Sequence, residues 1–351
     1  MTFFARRHLR TALLFLLLIA APFSHAEEVK VKAVATFSIL GDMVKAIGGD
    51  RIQVKTLVGP DSDAHVYSPT PADAKDILAA DVLFVNGFEF EGWLDRLIDA
   101  SGYKGKIITA TKGIDGLAFA HEDEEHSDRH EDDHENKHND EHEEEHKDGE
   151  SDEHKEQHED GHDDEHKDEH GHHHGETDPH AWHSLTHAKT YIKNIHQALQ
   201  DADPAGAATY AANHAAYLVK LGELEQLVTE TLDTLPEGRR TVVTSHDAFG
   251  YFADAYNLRF LAPQGMNTET EASAKDVAAL IEQIRSENIT ALFLENMVSS
   301  RLLEQIAAES NVDIGGKLYS DALSQPDAEA GTYLKMMRHN IQTLYQTLKA
   351  E

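Results

Sequence analysis

From Val29 onward, short apolar runs alternate with segments whose apolar residues recur every three or four positions. The runs Val29–Thr36, Ile52–Val58, Asp81–Asn86 and Lys106–Thr111 predict strands, and Ile39–Ile47, Pro71–Ala79 and Gly92–Ala100 predict helices between them. Gly48-Gly49 and Gly59-Pro60 punctuate the alternation as stops and turns. The stretch Ala205–Asp233 contains no proline, and Tyr217, Leu218, Leu221, Leu224, Leu227, Val228 and Leu232 stand at helical spacing. That predicts one helix of up to about 40 Å. The alternation then resumes, with strands at Thr241–Thr244, Ala291–Leu294 and Gly316–Tyr319 and helices at Phe249–Tyr256, Ala274–Ser286, Ser300–Ser310 and Ala328–Ala350. Such alternation implies parallel sheets covered by helices. The expected fold is α/β: two doubly wound parallel-sheet lobes joined by one long helix. Ligands in such sheets bind at the carboxyl ends of the strands, here in the interlobe cleft.

The two ends of this pattern are interrupted by segments of different character. Arg6, Arg7 and Arg10 precede the apolar stretch Ala12–Ala21, and Ser24-His25-Ala26 supplies small residues around a cleavage point. Residues 1–26 therefore read as a secretory signal cleaved after Ala26. The expected division is 27–204 for the first lobe, 205–235 for the linking helix and 236–351 for the second lobe. The chain has no cysteine. Disulfides and thiolate chemistry are excluded, and a lipid-anchored N-terminal Cys with them. The placement expected from this is a soluble, monomeric protein of the periplasm.

Charge and histidine change the picture most. Residues 121–175 hold 26 Asp and Glu against 5 Lys and Arg, a net of −21 out of −33 for the chain. This sign disfavours nucleic acid and favours cations. Within that segment His126, His130, His134, His138, His142, His146, His154, His158, His162, His166, His170 and His174 recur at four-residue steps, and Glu150 fills the missed slot. With almost no apolar residues the segment is expected to be disordered without metal. Each four-residue step advances about 400° on a helix, so the repeat builds many local imidazole pairs rather than one face. It is expected to be an accessory, low-affinity metal loop at the mouth of the cleft. Matches to HExxH at His130–His134, His142–His146 and His158–His162 arise by repetition in a tract made of H, E and D.

Four residues outside the run stand at strand ends or in turns: His65, His180, His246 and Asp321. Three imidazoles and a carboxylate suit tetrahedral Zn²⁺. A lone histidine at a strand end is more often a satisfied polar residue than a ligand, so spacing alone does not select this set. His183 and His187, spaced i, i+4, also suit a metal on a helix. We expect them at the surface or behind the ligands, with His183 an alternative ligand. Glu295 reads either as an acceptor that fixes a histidine N–H or as a cap or surface carboxylate.

The phrases PDSDAHVYSPTPAD (60–73), VNGFEFEGWLDRL (85–97), DPHAWHS (178–184), TSHDAFGYFADAYNL (244–258), NTETEASAKDVAALIEQIRSENITALFLEN (267–296) and LYSDALS (318–324) carry a resemblance. Together they resemble the zinc- and manganese-binding solute receptors of bacterial ABC transporters, the cluster A-I (family 9) binding proteins, over residues 29–348. The resemblance implies a metal held between the lobes by His65 and His180 from the first and His246 and Asp321 from the second. It also implies that the long linking helix is rigid, delivery to an inner-membrane ABC permease and no catalysis. His183 departs from the apolar residue usual after the family's DPHxW motif. Manganese members tend to replace the third histidine with Glu, and His246 is retained here, which favours Zn²⁺ over Mn²⁺ as cargo.

The expected function is thus a periplasmic high-affinity zinc receptor, with a metallochaperone on the acidic run as a further candidate partner. The competing readings are a zinc buffer acting through the histidine run, a manganese receptor of the same family, and a zinc hydrolase. A hydrolase needs an open coordination position for water. Deleting 121–175 is expected to leave one tight zinc site in titrations of chelator-stripped protein. Loss of that site on deletion would make the run the principal binding element.

Overall fold

The computed structural model describes residues 30–118 and 177–349. The expected signal and the histidine run lie outside the described residues. The first lobe is built from β1 (Val31–Phe37), α1 (Ser38–Gly48), β2 (Ile52–Val58), α2 (Pro71–Leu78), β3 (Val82–Val85), α3 (Leu94–Ser101) and β4 (Lys106–Thr109). Its strands pair in parallel in the order β2-β1-β3-β4. β1 and β3 are central, and β3 is buried along its whole length. This explains their near-continuous apolar sequence, because helices cover both faces of a parallel sheet. Pro71 opens α2 behind a Thr70–Asp73 capping box, which sets where the helix begins.

The chain leaves the described structure at Ala118 and re-enters at Thr177, and these two residues pair as an antiparallel bridge. Next come α4 (Leu185–Ala202) and α5 (Ala207–Glu230). The second lobe contains β5 (Thr241–Val243), α6 (Gly250–Tyr256), β6 (Arg259–Leu261), α7 (Ala274–Ser286), β7 (Leu292–Glu295), α8 (Arg301–Ser310), β8 (Ile314–Leu318) and α9 (Tyr333–Leu348). Its sheet repeats the first in topology, β6-β5-β7-β8, all parallel.

Two elements were not anticipated from the pattern. α4 does not stand out in the pattern, although Leu185, Ala188, Tyr191, Ile192, Ile195 and Leu199 bury one face of it and Ser184 caps it. β6 is only three residues long, too short to show periodicity. The last helix starts at Tyr333 rather than Ala328, where the Thr332 side chain accepts the Lys335 N–H as an N-cap.

α5 is 24 residues, about 36 Å. It packs against α1 and α4 of the first lobe and α9 of the second. The largest apolar cluster runs unbroken from β1 and α1 through Tyr217, Leu221, Leu224 and Val228 of α5 to Met336, Ile341 and Leu344 of α9. A smaller cluster around Leu280, Ile284, Leu292 and Ile306 lies under the outer helices of the second lobe. The lobes therefore share a core, and swinging them apart would expose part of it. Leu221 is fully buried where this core crosses from one lobe to the other. Leu221→Ala is expected to lower stability by about 2–5 kcal/mol in denaturant unfolding, the range for truncating a buried leucine.

Candidate metal centre

Each lobe brings two of the expected donors to the cleft. His65 follows β2 in a loop with no regular structure. Its N–H donates to Asp63 Oδ1 at 2.9 Å, closing an Asx turn. Trp93 Nε1 holds the preceding carbonyl, Ala64 O, at 2.8 Å, and Phe90 meets the imidazole edge-on. His180 opens a short 3₁₀ turn, Ala181–His183. Asp178 Oδ1 accepts both the His180 backbone N–H and its ring Nδ1, each at 2.8 Å. The turn is held to the sheet by Asn86 at the end of β3, whose Nδ2 donates to Pro179 O at 2.9 Å.

His246 follows β5, and Glu295 is the last residue of β7, so the pair spans the point where the strand order of the second sheet reverses. Glu295 Oε1 accepts the N–H groups of Ser245 (2.7 Å) and His246 (3.0 Å). Its Oε2 lies 2.7 Å from His246 Nδ1, a charge contact whose angle falls short of a hydrogen bond. Asp321 follows β8 and has no exposed surface.

The four side chains converge. Asp321 Oδ2 is 3.1 Å from both His65 Nε2 and His246 Nε2, and Asp321 Oδ1 is 3.6 Å from His180 Nε2. His65 Nε2 and His180 Nε2 are 3.4 Å apart. One donor atom from each residue fits within 4.8 Å of the others, and all four residues are buried. Burial disfavours charge on His246, but Glu295 and then Asp321 outweigh it and hold its pKa well above the ordinary value. Asp321 shows the converse. Burial pushes its pKa up, yet His246 and His180 hold it well below the usual carboxylate range. A cation entering here would take over this role, because it binds neutral imidazoles and displaces their protons.

The remaining candidates fall in different places. Glu295 is buried behind His246, not at the surface. His183 is not at the surface either: it is fully buried, its ring 4.6 Å from Phe249, and neither ring nitrogen makes a hydrogen bond. It ends the 3₁₀ turn while His187 sits in the first turn of α4, so the two do not form a chelating pair on one helix. His183 lies outside the convergent set. Asp178 was missed in the sequence, although its position two residues before His180 was the available signal. The histidines from His126 to His174 lie outside the described residues.

Comparison with known proteins identifies the family. The family described as zinc-uptake complex component A, periplasmic (ZnuA), matches residues 33–347. The chain belongs to the ZnuA family. Its members are solute-binding receptors of metal ABC transporters, not enzymes. A ZnuA-family relative from Halalkalibacterium halodurans, named manganese-binding lipoprotein MntA, is 29% identical over 318 residues, 91% of this chain and 88% of its own length. The iron ABC transporter substrate-binding lipoprotein MtsA of Streptococcus pyogenes serotype M1 is 29% identical over 329 residues, 92% of this chain and 90% of its own. Among solved structures, the periplasmic zinc binding protein TroA from Treponema pallidum superposes with a TM-score of 0.73 at 25% identity, covering 92% of this chain and all of that one.

These relatives correct one expectation. A soluble periplasmic protein was expected from the leader and the missing cysteine, but the ZnuA-family relatives found by sequence are named lipoproteins, which are lipid-anchored.

Burial holds the His183 pKa down at about 3, against 6.5 for an exposed ring. The unfolded chain therefore binds a proton below about pH 6.5 that the folded chain refuses, so His183 costs stability as pH falls towards 3. His183→Leu is expected to flatten that loss by about 1.4 kcal/mol per pH unit between pH 6 and 4. Denaturant unfolding of both proteins across that range measures it, and parallel curves would refute it.

Proposed function

We propose that this ABC-transporter receptor carries Zn²⁺, bound by His65, His180, His246 and Asp321. One observation carries the reading: three imidazole nitrogens and one carboxylate converge in a buried cluster with donor separations of 3.1, 3.1, 3.4 and 3.6 Å. Donor atoms around a tetrahedral zinc ion stand about 3.3 Å apart when its bonds are about 2.0–2.1 Å long. The nearest pairs already stand at about this spacing, counting both Asp321 oxygens, and the full set, which spans up to 4.8 Å, would draw together on the ion. Asp178 and Glu295 sit at the far nitrogens of His180 and His246, an arrangement that orients imidazole ligands and raises their basicity. Four protein donors leave no position for a catalytic water, in keeping with a receptor whose work is capture and release.

A manganese cargo is the second reading, and the names of relatives such as MntA favour it. The donor set argues the other way. Three nitrogens and one carboxylate are a nitrogen-rich shell, whereas manganese is better served by oxygen donors. In either case the cargo passes to the membrane permease of the transporter.

Calorimetric titration of stripped protein is expected to show one zinc ion bound tightly, with manganese displaced in competition. His65→Ala with His246→Ala is expected to abolish that site. A tight zinc site surviving the double substitution would overturn the assignment, and preference for manganese in competition would select the second reading.

A further inference from the structure

The residues 262–273, between β6 and α7, touch the backbone beside one candidate donor and reach across the cleft to the loop of another. On the second-lobe side, Gln264 pairs with His246 and Asp247 N–H donates to Gly265 O at 3.2 Å. On the first-lobe side, Thr268 Oγ1 donates to Asp63 Oδ2 at 2.6 Å. The other oxygen of the same carboxylate, Oδ1, accepts the N–H of His65. One carboxylate therefore joins the backbone of a first-lobe donor to a hydroxyl on a second-lobe loop.

We propose that Asp63 and Thr268 form a latch across the cleft that sets how fast the bound cation leaves. The inference rests on reading the four-donor cluster as the cargo site. Because the lobes share a core, opening the whole cleft would expose apolar surface, and departure of the ion by local retreat of one ligand costs less. His65 is the ligand suited to retreat first. His180 is held at its far nitrogen by Asp178 and His246 is backed by Glu295, whereas among the described residues no carboxylate meets the far nitrogen of His65. The His65 loop lacks regular structure, and the neighbouring Val66 is half exposed. Its backbone is held by the contacts of Asp63 and Trp93, and four residues earlier Asp61 ties the same loop to Leu323 O and Asn296 of the second lobe. Of the contacts at the His65 backbone itself, the Asp63 one is secured from the opposite lobe, by Thr268. Asp63 and Thr268 are positioning residues: neither contributes an atom to the four-donor cluster.

Thr268→Val removes the cross-cleft hydrogen bond and keeps the side-chain shape. Zinc-loaded full-length protein mixed with excess chelator is expected to release its ion about tenfold faster in this variant, the scale of losing one hydrogen bond to a carboxylate. The association rate is expected to stay at the wild-type value, and Thr268→Ser to restore slow release. Equal release rates in wild type and Thr268→Val, or failure of Ser to rescue, overturn the latch. Hydrogen exchange on metal-free protein tests it independently of any cargo. The His65 amide and the amides of 262–273 are expected to exchange faster in Thr268→Val, and unchanged exchange overturns the latch even if no zinc binds. Wild-type protein that takes up no tight ion overturns the cargo reading instead.

Discussion

A single carboxylate with no exposed surface, Asp321, lies between three imidazoles drawn from both lobes. Removing a charge from water is costly unless it is paired, so this residue makes the cleft demand positive charge. Without a cation, Glu295 and Asp321 outweigh burial and hold the His246 pKa well above its ordinary value. A divalent cation bound as proposed would meet that demand with direct bonds to all four groups. Asp178 and Glu295 stand behind two of the rings, and Phe90 and Trp182 pack edge-on against His65 and His180 from the first-lobe side.

The second constraint is the shared core. α5 and α9 carry apolar packing from one lobe into the other, and Trp182 Nε1 donates to Ser320 O beside Asp321. Tyr333 adds a further tie, with its hydroxyl on Trp182 O at 2.7 Å and its N–H on Asp42. The cleft is therefore a seam within one packed body, and movement is cheapest in the loops that border it. His183 beside this seam is fully buried against Phe249 and stays outside the four-residue cluster.

Much of the molecule was legible in the chain. Long alternating segments such as Ile52–Val58 and Ala274–Ser286 announced themselves, because a buried face imposes a period. The three-residue β6 did not, and α4 was overlooked beside the more conspicuous α5. The resemblance picked out the four donors, while spacing alone left them equal to any other histidine. Single residues at the ends of β2, β5 and β8 carry no local pattern, since their partners lie as far as 256 positions away, as with His65 and Asp321.

Sequence by itself determined the α/β class, the two lobes, the long connecting helix, the acidic balance and the absence of thiol chemistry, because these follow from local periodicity and composition. Tertiary structure alone decided that His65, His180, His246 and Asp321 meet, that Asp178 and Glu295 stand behind two of them, that His183 is buried rather than exposed, and that Thr268 reaches Asp63. The physical reason is the same throughout. Local pattern records which face of an element is dry, but the distance between two strand ends depends on how whole lobes pack, and coordination chemistry is a matter of ångströms.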